Sequence, residues 1–166
     1  MFIEIIKNTP ILVFILLLGL IYLGYTQSKN REVAFNKIFI LPISMLILSI
    51  FGIFSAFGLV AYAWVFWLLG EILSILIGLK YLKLNNTSYN SEKKSFHIQG
   101  SWTPMFIILL IFSLKYFVGF AIARQLPIVD TFEFLVIVSF LYGALSGVFL
   151  SKTAALIKYR KTFTDK

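Results

Sequence analysis

The chain has 166 residues, 60% of them hydrophobic and 13% charged, with a net charge of +8 and no cysteine. The charged share is about half the 25% typical of soluble proteins, which excludes a soluble globular domain and makes this an integral membrane protein. Without cysteine the chain cannot supply disulfides, thiolate catalysis or iron–sulfur ligation. Its basic residues flank apolar runs, so the positive charge has a topological origin and does not imply a nucleic-acid partner.

Asn8-Thr9-Pro10 reads as a helix start, with Thr9 capping and Pro10 in the first turn, where its missing N–H is no loss. A helix beginning near Phe2 would instead be kinked at Pro10, and the residues leave both alternatives open. The first span covers about 10–25, and no small-x-small cleavage site follows it, so it reads as a retained helix and not a signal peptide. After the polar stretch Thr26–Glu32, a second span at about 38–57 carries Pro42 one turn inside its start. A third at about 59–82 follows almost without a loop, which predicts a tight hairpin. The stretch Asn85–Ser101, with Glu92, Lys93, Lys94 and His97, reads as a loop in which the alternation at Phe96-His97-Ile98 allows one short extended piece. Thr103-Pro104 repeats the cap-plus-proline start of a fourth span, about 104–123. Leu126-Pro127 breaks it, and Asp130-x-x-Glu133 resembles a capping box opening a fifth span, about 132–155. The expected fold is therefore a single-domain, all-α integral membrane bundle over 1–166 with about five transmembrane helices.

With five spans, the segments following spans one, three and five lie on one side, and they hold every basic residue except Lys7, Lys115 and Arg124. The positive-inside rule then puts the N-terminus out and the C-terminus in. Trp64 and Trp67 fall toward the outer interface and Trp102 at the inner one, as aromatic belts require.

Glu71 and Lys115 are the only charges near the middle of the apolar runs. A lone charge there costs roughly 2.5–3.5 kcal/mol on insertion scales, so each needs a partner or a polar cavity. At 1.5 Å per residue their depths are about 13 and 16 Å, close enough for long side chains to meet if spans three and four pack together. Ser74 and Gly78 share the Glu71 face and let a helix approach. Trp67 and Tyr116 are further candidate neighbours. The plain reading is a structural ion pair that fixes helix register; the sharper one is a polar site for a proton, an ion or a head group.

Ser139, Gly143, Gly147, Ser151 and Ala155 recur every four residues on span five, a small-residue stripe suited to close packing against a sibling helix or, less readily, a second copy. The single histidine, His97, cannot form a bis-histidine haem site or a zinc cluster, so neither metal nor cofactor is expected, and it reads as a loop residue near the head groups. Asn85-Asn86-Thr87 matches a glycosylation acceptor but falls on the expected inner side. Arg124, Asp130 and Glu133 read as capping groups and an exposed ion pair at the outer end, and the basic run Lys158–Lys161 as a topological anchor near anionic lipid.

The segment Arg31–Met45, with the pattern R-x-V-x-x-x-K-I-x-x-x-P-x-x-M, resembles a stretch in small bacterial membrane proteins of the CcdC-like group, associated by name with cytochrome c biogenesis. Gly100-Ser101-Trp102-x-Pro104 and Lys115-Tyr116-x-x-Gly119 resemble a related, uncharacterised family of bacterial inner-membrane proteins with the same five-span layout. The resemblance implies a bacterial inner-membrane location and no catalytic residue. With no nucleophile–base arrangement in view, the expected function is a non-enzymatic membrane component whose partners are the bilayer and a membrane protein or a second copy. The alternative is a small ion- or proton-coupled carrier using Glu71 and Lys115, with Trp64 and Trp67 guarding its outer end.

Overall fold

A computed structural model of the chain describes residues 11–82, 84, 87–91 and 93–164, so the Asn8-Thr9-Pro10 start lies outside the described residues. Helix α1 covers Ile11–Gln27 and leads into strand β1, Arg31–Ala34. A 3-10 turn, Phe35–Phe39, opens α2, Ile40–Phe57, and α3 covers Ala61–Tyr81. Strands β2, Ser88–Asn90, and β3, Ser95–Ile98, precede α4, Thr103–Ala123. A second 3-10 turn, Pro127–Asp130, leads to α5, Phe132–Thr164. Among the described residues four helices, α2 to α5, are long and apolar enough to cross a membrane, while α1 is apolar but shorter. They mark the chain as a membrane protein of helical class.

The predicted hairpin between the second and third spans is formed at Gly58, whose φ of +59° is open to glycine and strained for other residues. Its N–H donates to the Phe54 carbonyl at 2.9 Å, and its own carbonyl accepts from the Trp64 indole at 3.1 Å. Two expected caps sit one residue or two away from their predicted places. The helix α5 is capped by Thr131, whose Oγ1 accepts from the Phe134 N–H at 3.3 Å, and not by Asp130. At α4 the Ser101 Oγ accepts from the Thr103 N–H at 3.2 Å, so Ser101 provides the hydroxyl that Thr103 was expected to supply. Pro104 occupies the first turn, as predicted.

The helices divide into two groups. Helix α3 runs parallel to α5 and packs along its length, with Trp67 against Gly143 at one end and Gly78 against Ser151 at the other. Helix α2 joins them antiparallel to α5: the Ser49 hydroxyl donates to the Tyr142 carbonyl at 2.8 Å, and Thr153 to Ile38 at 3.4 Å. Helix α4 packs chiefly on α1, where Gly24 lies against Met105 and Ser101 N–H reaches the Gln27 carbonyl at 3.1 Å. One buried cluster at the Gly58 end centres on Ile53, Ala63, Val138 and Tyr142, and another at mid-bundle on Met45, Ile108, Ile111 and Phe149.

At the opposite end the stretches read as loops form a three-stranded antiparallel sheet of order β1-β3-β2. Val33 and Tyr89 both pair with Phe96, which is fully buried, and these residues cover Ile38, Ile98 and Leu156 at the helix ends. His97 is exposed on the central strand opposite Glu32 and Ser88 and belongs to no loop. Helix α5 continues past its predicted end at 155 because its last turns rest on this sheet. The Tyr159 hydroxyl donates to the Thr87 carbonyl at 2.8 Å, and the Arg160 guanidinium lies 4.1 Å from the centre of the Phe35 ring. At the Gly58 end, among the described residues, no ion pair joins Arg124 to Asp130 or Glu133; Arg124 lies over Phe120 instead.

Thr131→Ala is expected to lower the unfolding free energy by about 1 kcal/mol through loss of the cap, while Asp130→Ala stays within about 0.5 kcal/mol, as measured by unfolding in detergent.

Candidate functional site

Helix α3 turns a row of small residues, Gly70, Ser74 and Gly78, toward α5. The stripe on α5 answers it so closely that the backbones touch. A Cβ added to Gly143 would overlap the Trp67 carbonyl oxygen, and one added to Gly147 would lie 2.7 Å from the Glu71 carbonyl and 2.9 Å from the Ser74 Cβ. Gly70 meets the Phe140 carbonyl and Gly78 the Ser151 side chain with no more room. Small residues on both helices permit this approach, which larger side chains would prevent.

The seam contains the acid. Glu71 is 5% exposed, and Ser146, fully buried, donates a hydrogen bond from its hydroxyl to Glu71 Oε2. The same hydroxyl lies 3.1 Å from the Tyr142 carbonyl and 3.0 Å from the Gly143 carbonyl, so three acceptors share one proton. Glu71 Oε1 is buried with no hydrogen-bond partner, as is the Ser139 hydroxyl further along the stripe. One carboxyl oxygen is thus held and the other left open, a geometry able to accept a proton, a water or another donor. No group of three metal-ligating side chains occurs among the described residues.

Lys115 is not part of this arrangement. It is half-buried on α4, which packs on α1 and α5, and among the described residues it forms no ion pair with Glu71. The face of α3 expected to receive span four is occupied by α5, whose small-residue stripe fits it more closely than the bulky residues around Lys115 could. Tyr116 stacks on Phe112 along α4 at 6.2 Å between ring centres. Trp67 touches the site through its backbone, while its indole donates to the Ser49 hydroxyl at 2.8 Å and packs edge-on against Trp64. Trp67, Ser49 and Tyr142 therefore form a polar chain joining α3, α2 and α5.

Ser146 and Ser49 are the members that sequence reasoning missed. Ser146 stands seven residues after Ser139, on the same helical face as the stripe, and that spacing was the available signal.

Comparison with protein families settles the relationship: the model of a family of unknown function (DUF6622) matches residues 1–165. The chain belongs to that family. No curated protein and no solved structure matches it. Membership in DUF6622 carries no assigned activity, so the site rests on its geometry alone.

Gly143→Ala should destabilise the protein by about 1–3 kcal/mol by forcing the α3–α5 backbones apart. Gly119→Ala, on α4 with nothing near its Cβ position, should be neutral or stabilising by up to about 1 kcal/mol. Unfolding in detergent checks both. A double-mutant cycle of Glu71→Gln and Lys115→Met should give a coupling below about 0.5 kcal/mol, as for separate sites; a larger coupling would restore the ion pair.

Proposed function

We propose that this chain is a non-enzymatic component of a bacterial inner membrane that acts through contact with a membrane-protein partner. In this reading it crosses the bilayer five times, with its N-terminus outside and its C-terminus inside. The gathering of Arg31, Lys37, Lys152 and Arg160 at the sheet end supports that orientation, since basic residues favour the cytoplasmic face. The likeness of Arg31–Met45 to the CcdC-like group supports the bacterial location.

The position of Glu71 carries the reading. The acid of the helical core lies in the α3–α5 seam, bonded to Ser146 and flanked by glycines, and lines neither of the two cavities at the sheet end. A carboxyl committed to helix packing fits a scaffold better than it fits a transport pathway. One observation favours a carrier: the open Oε1 atom, which a transported proton or ion would use.

Proteoliposomes holding a pH-sensitive dye, with a potential imposed across the membrane, separate the two. For a contact component, wild-type protein and Glu71→Gln admit protons no faster than empty vesicles, and the protein in native membranes migrates as a discrete assembly larger than the monomer. Proton or cation flux that Glu71→Gln abolishes would overturn the proposal and establish the carrier.

A further inference from the structure

Two adjoining cavities at the sheet end are lined by described residues. The larger, about 410 Å³, opens between the end of α3, the segment from Ile98 to Ser101, the start of α4 and the Val148–Lys152 turn of α5. The smaller, about 100 Å³, lies between the end of α1, strand β1, the start of α2 and the next turn of α5. Ile98, Pro104, Phe149 and Lys152 line both, so Lys152 stands at the partition. The larger volume falls within the range of about 300–1,000 Å³ usual for small-ligand sites.

The charges around this partition are unbalanced. Lys152 is half-buried and makes no hydrogen bond or ion pair among the described residues. Arg31, also half-buried, donates to the Gln27 side chain and, at 3.3 Å, to the Thr26 carbonyl; both acceptors are neutral. That leaves guanidinium donors and the full charge uncommitted. Both cations line the smaller cavity, so they share one small space with like charge. Lys37, exposed, rims the smaller cavity. No acid lines either cavity among the described residues. The nearest in sequence, Glu32, is exposed and points to the other side of β1, where alternation places Arg31 and Val33 inward and Glu32 outward. Burial also holds the Arg31 guanidinium below its usual pKa.

The remaining walls are of two kinds. Thr87, Ser101 and Thr103 offer hydroxyls toward the sheet, while Leu82, Ile107 and Phe149 provide an apolar wall toward the bundle. A ligand that fits has an anionic group beside a polar portion and an apolar flank. We propose that the paired cavities bind a phosphate ester, with the phosphate held between Lys152 and Arg31. Such a group reaches this position in two forms, as the head group of an anionic phospholipid or as a small soluble phosphate, and arginine and lysine recognise both through the same charge-assisted bonds.

The full-length protein, purified and stripped of lipid in detergent, tests this by thermal stability and by native mass spectrometry, with phosphatidylglycerol, phosphatidylcholine, glycerol 3-phosphate and inorganic phosphate each added alone. Phosphatidylglycerol is expected to raise the melting temperature and remain bound, phosphatidylcholine to do neither, and Lys152→Met and Arg31→Gln each to weaken retention about fivefold. Lys93→Gln, on the exposed β2–β3 turn, should match the wild type. A rise with phosphatidylglycerol alone assigns the site to lipid, and a rise with glycerol 3-phosphate or inorganic phosphate as well assigns it to a soluble phosphate. Without ligand, Lys152→Met should melt no lower than the wild type, because it removes a repulsion and keeps the side chain's length. The proposal is overturned if none of the phosphates shifts the melting temperature, or if Lys152→Met retains phosphatidylglycerol as well as the wild type does. Should Lys152→Met fail to fold, Arg31→Gln decides by the same two readouts.

Discussion

The bundle depends on the direct backbone contact between α3 and α5. Glycines at 70, 78, 143 and 147 bring two parallel helices together so closely that a single added methyl at the tightest points would strike a carbonyl of the other helix. In a bilayer no hydrophobic drive separates helix–helix from helix–lipid contact, so close dispersion contact and interhelical hydrogen bonds must hold the pair. The Ser146–Glu71 bond and the Trp67–Ser49–Tyr142 chain supply the latter, and each crosses this same pair or fastens α2 to it. Helices α1 and α4 form a second pair, and α4 joins it to the first through buried residues shared along the bundle, Ile108 and Ile111 with Met45 and Phe149, and Val118 and Ala121 with Ile53 and Tyr142.

This division clarifies what the two charges in the apolar runs do. Glu71 lies in the α3–α5 seam, among small neighbours and bonded to Ser146. Lys115 lies half-buried on α4, outside that seam. Opposite charges at matching depth need not meet when another helix, here α5, occupies the face that bears one of them.

Much of the helical framework was legible in the chain. Apolar runs, prolines near helix starts and the short link at Gly58 located α2 to α4 within a few residues, because lipid leaves few alternatives to a helix. The sheet was hardly visible. Its strands are short, only Phe96-His97-Ile98 alternates, and its stability comes from pairing Arg31–Ala34 with a segment beyond two intervening helices. The length of α5 was hidden for the same reason, since its last turns are held by that sheet. At the acid, the sequence contained the right partner in plain form: two small-residue stripes, on spans three and five, each needing a close neighbour. Charge complementarity pointed to span four instead, and shape complementarity decided the outcome.

The order in which the helices leave the ribosome gives Glu71 a further significance. Of the four membrane-length helices among the described residues α3 is the least apolar, and it carries the acid whose partner, Ser146, belongs to α5, a helix made later. Throughout the synthesis of the sheet strands and α4, α3 must remain in or beside the bilayer with its carboxyl and glycine face uncovered. Its hairpin with the strongly apolar α2 is the means by which the chain can hold that position. Arrival of α5 then covers the carboxyl and glycine face of α3, so a nascent chain that stalls before this helix exposes an unpartnered acid in the membrane, a feature that quality-control proteases could recognise.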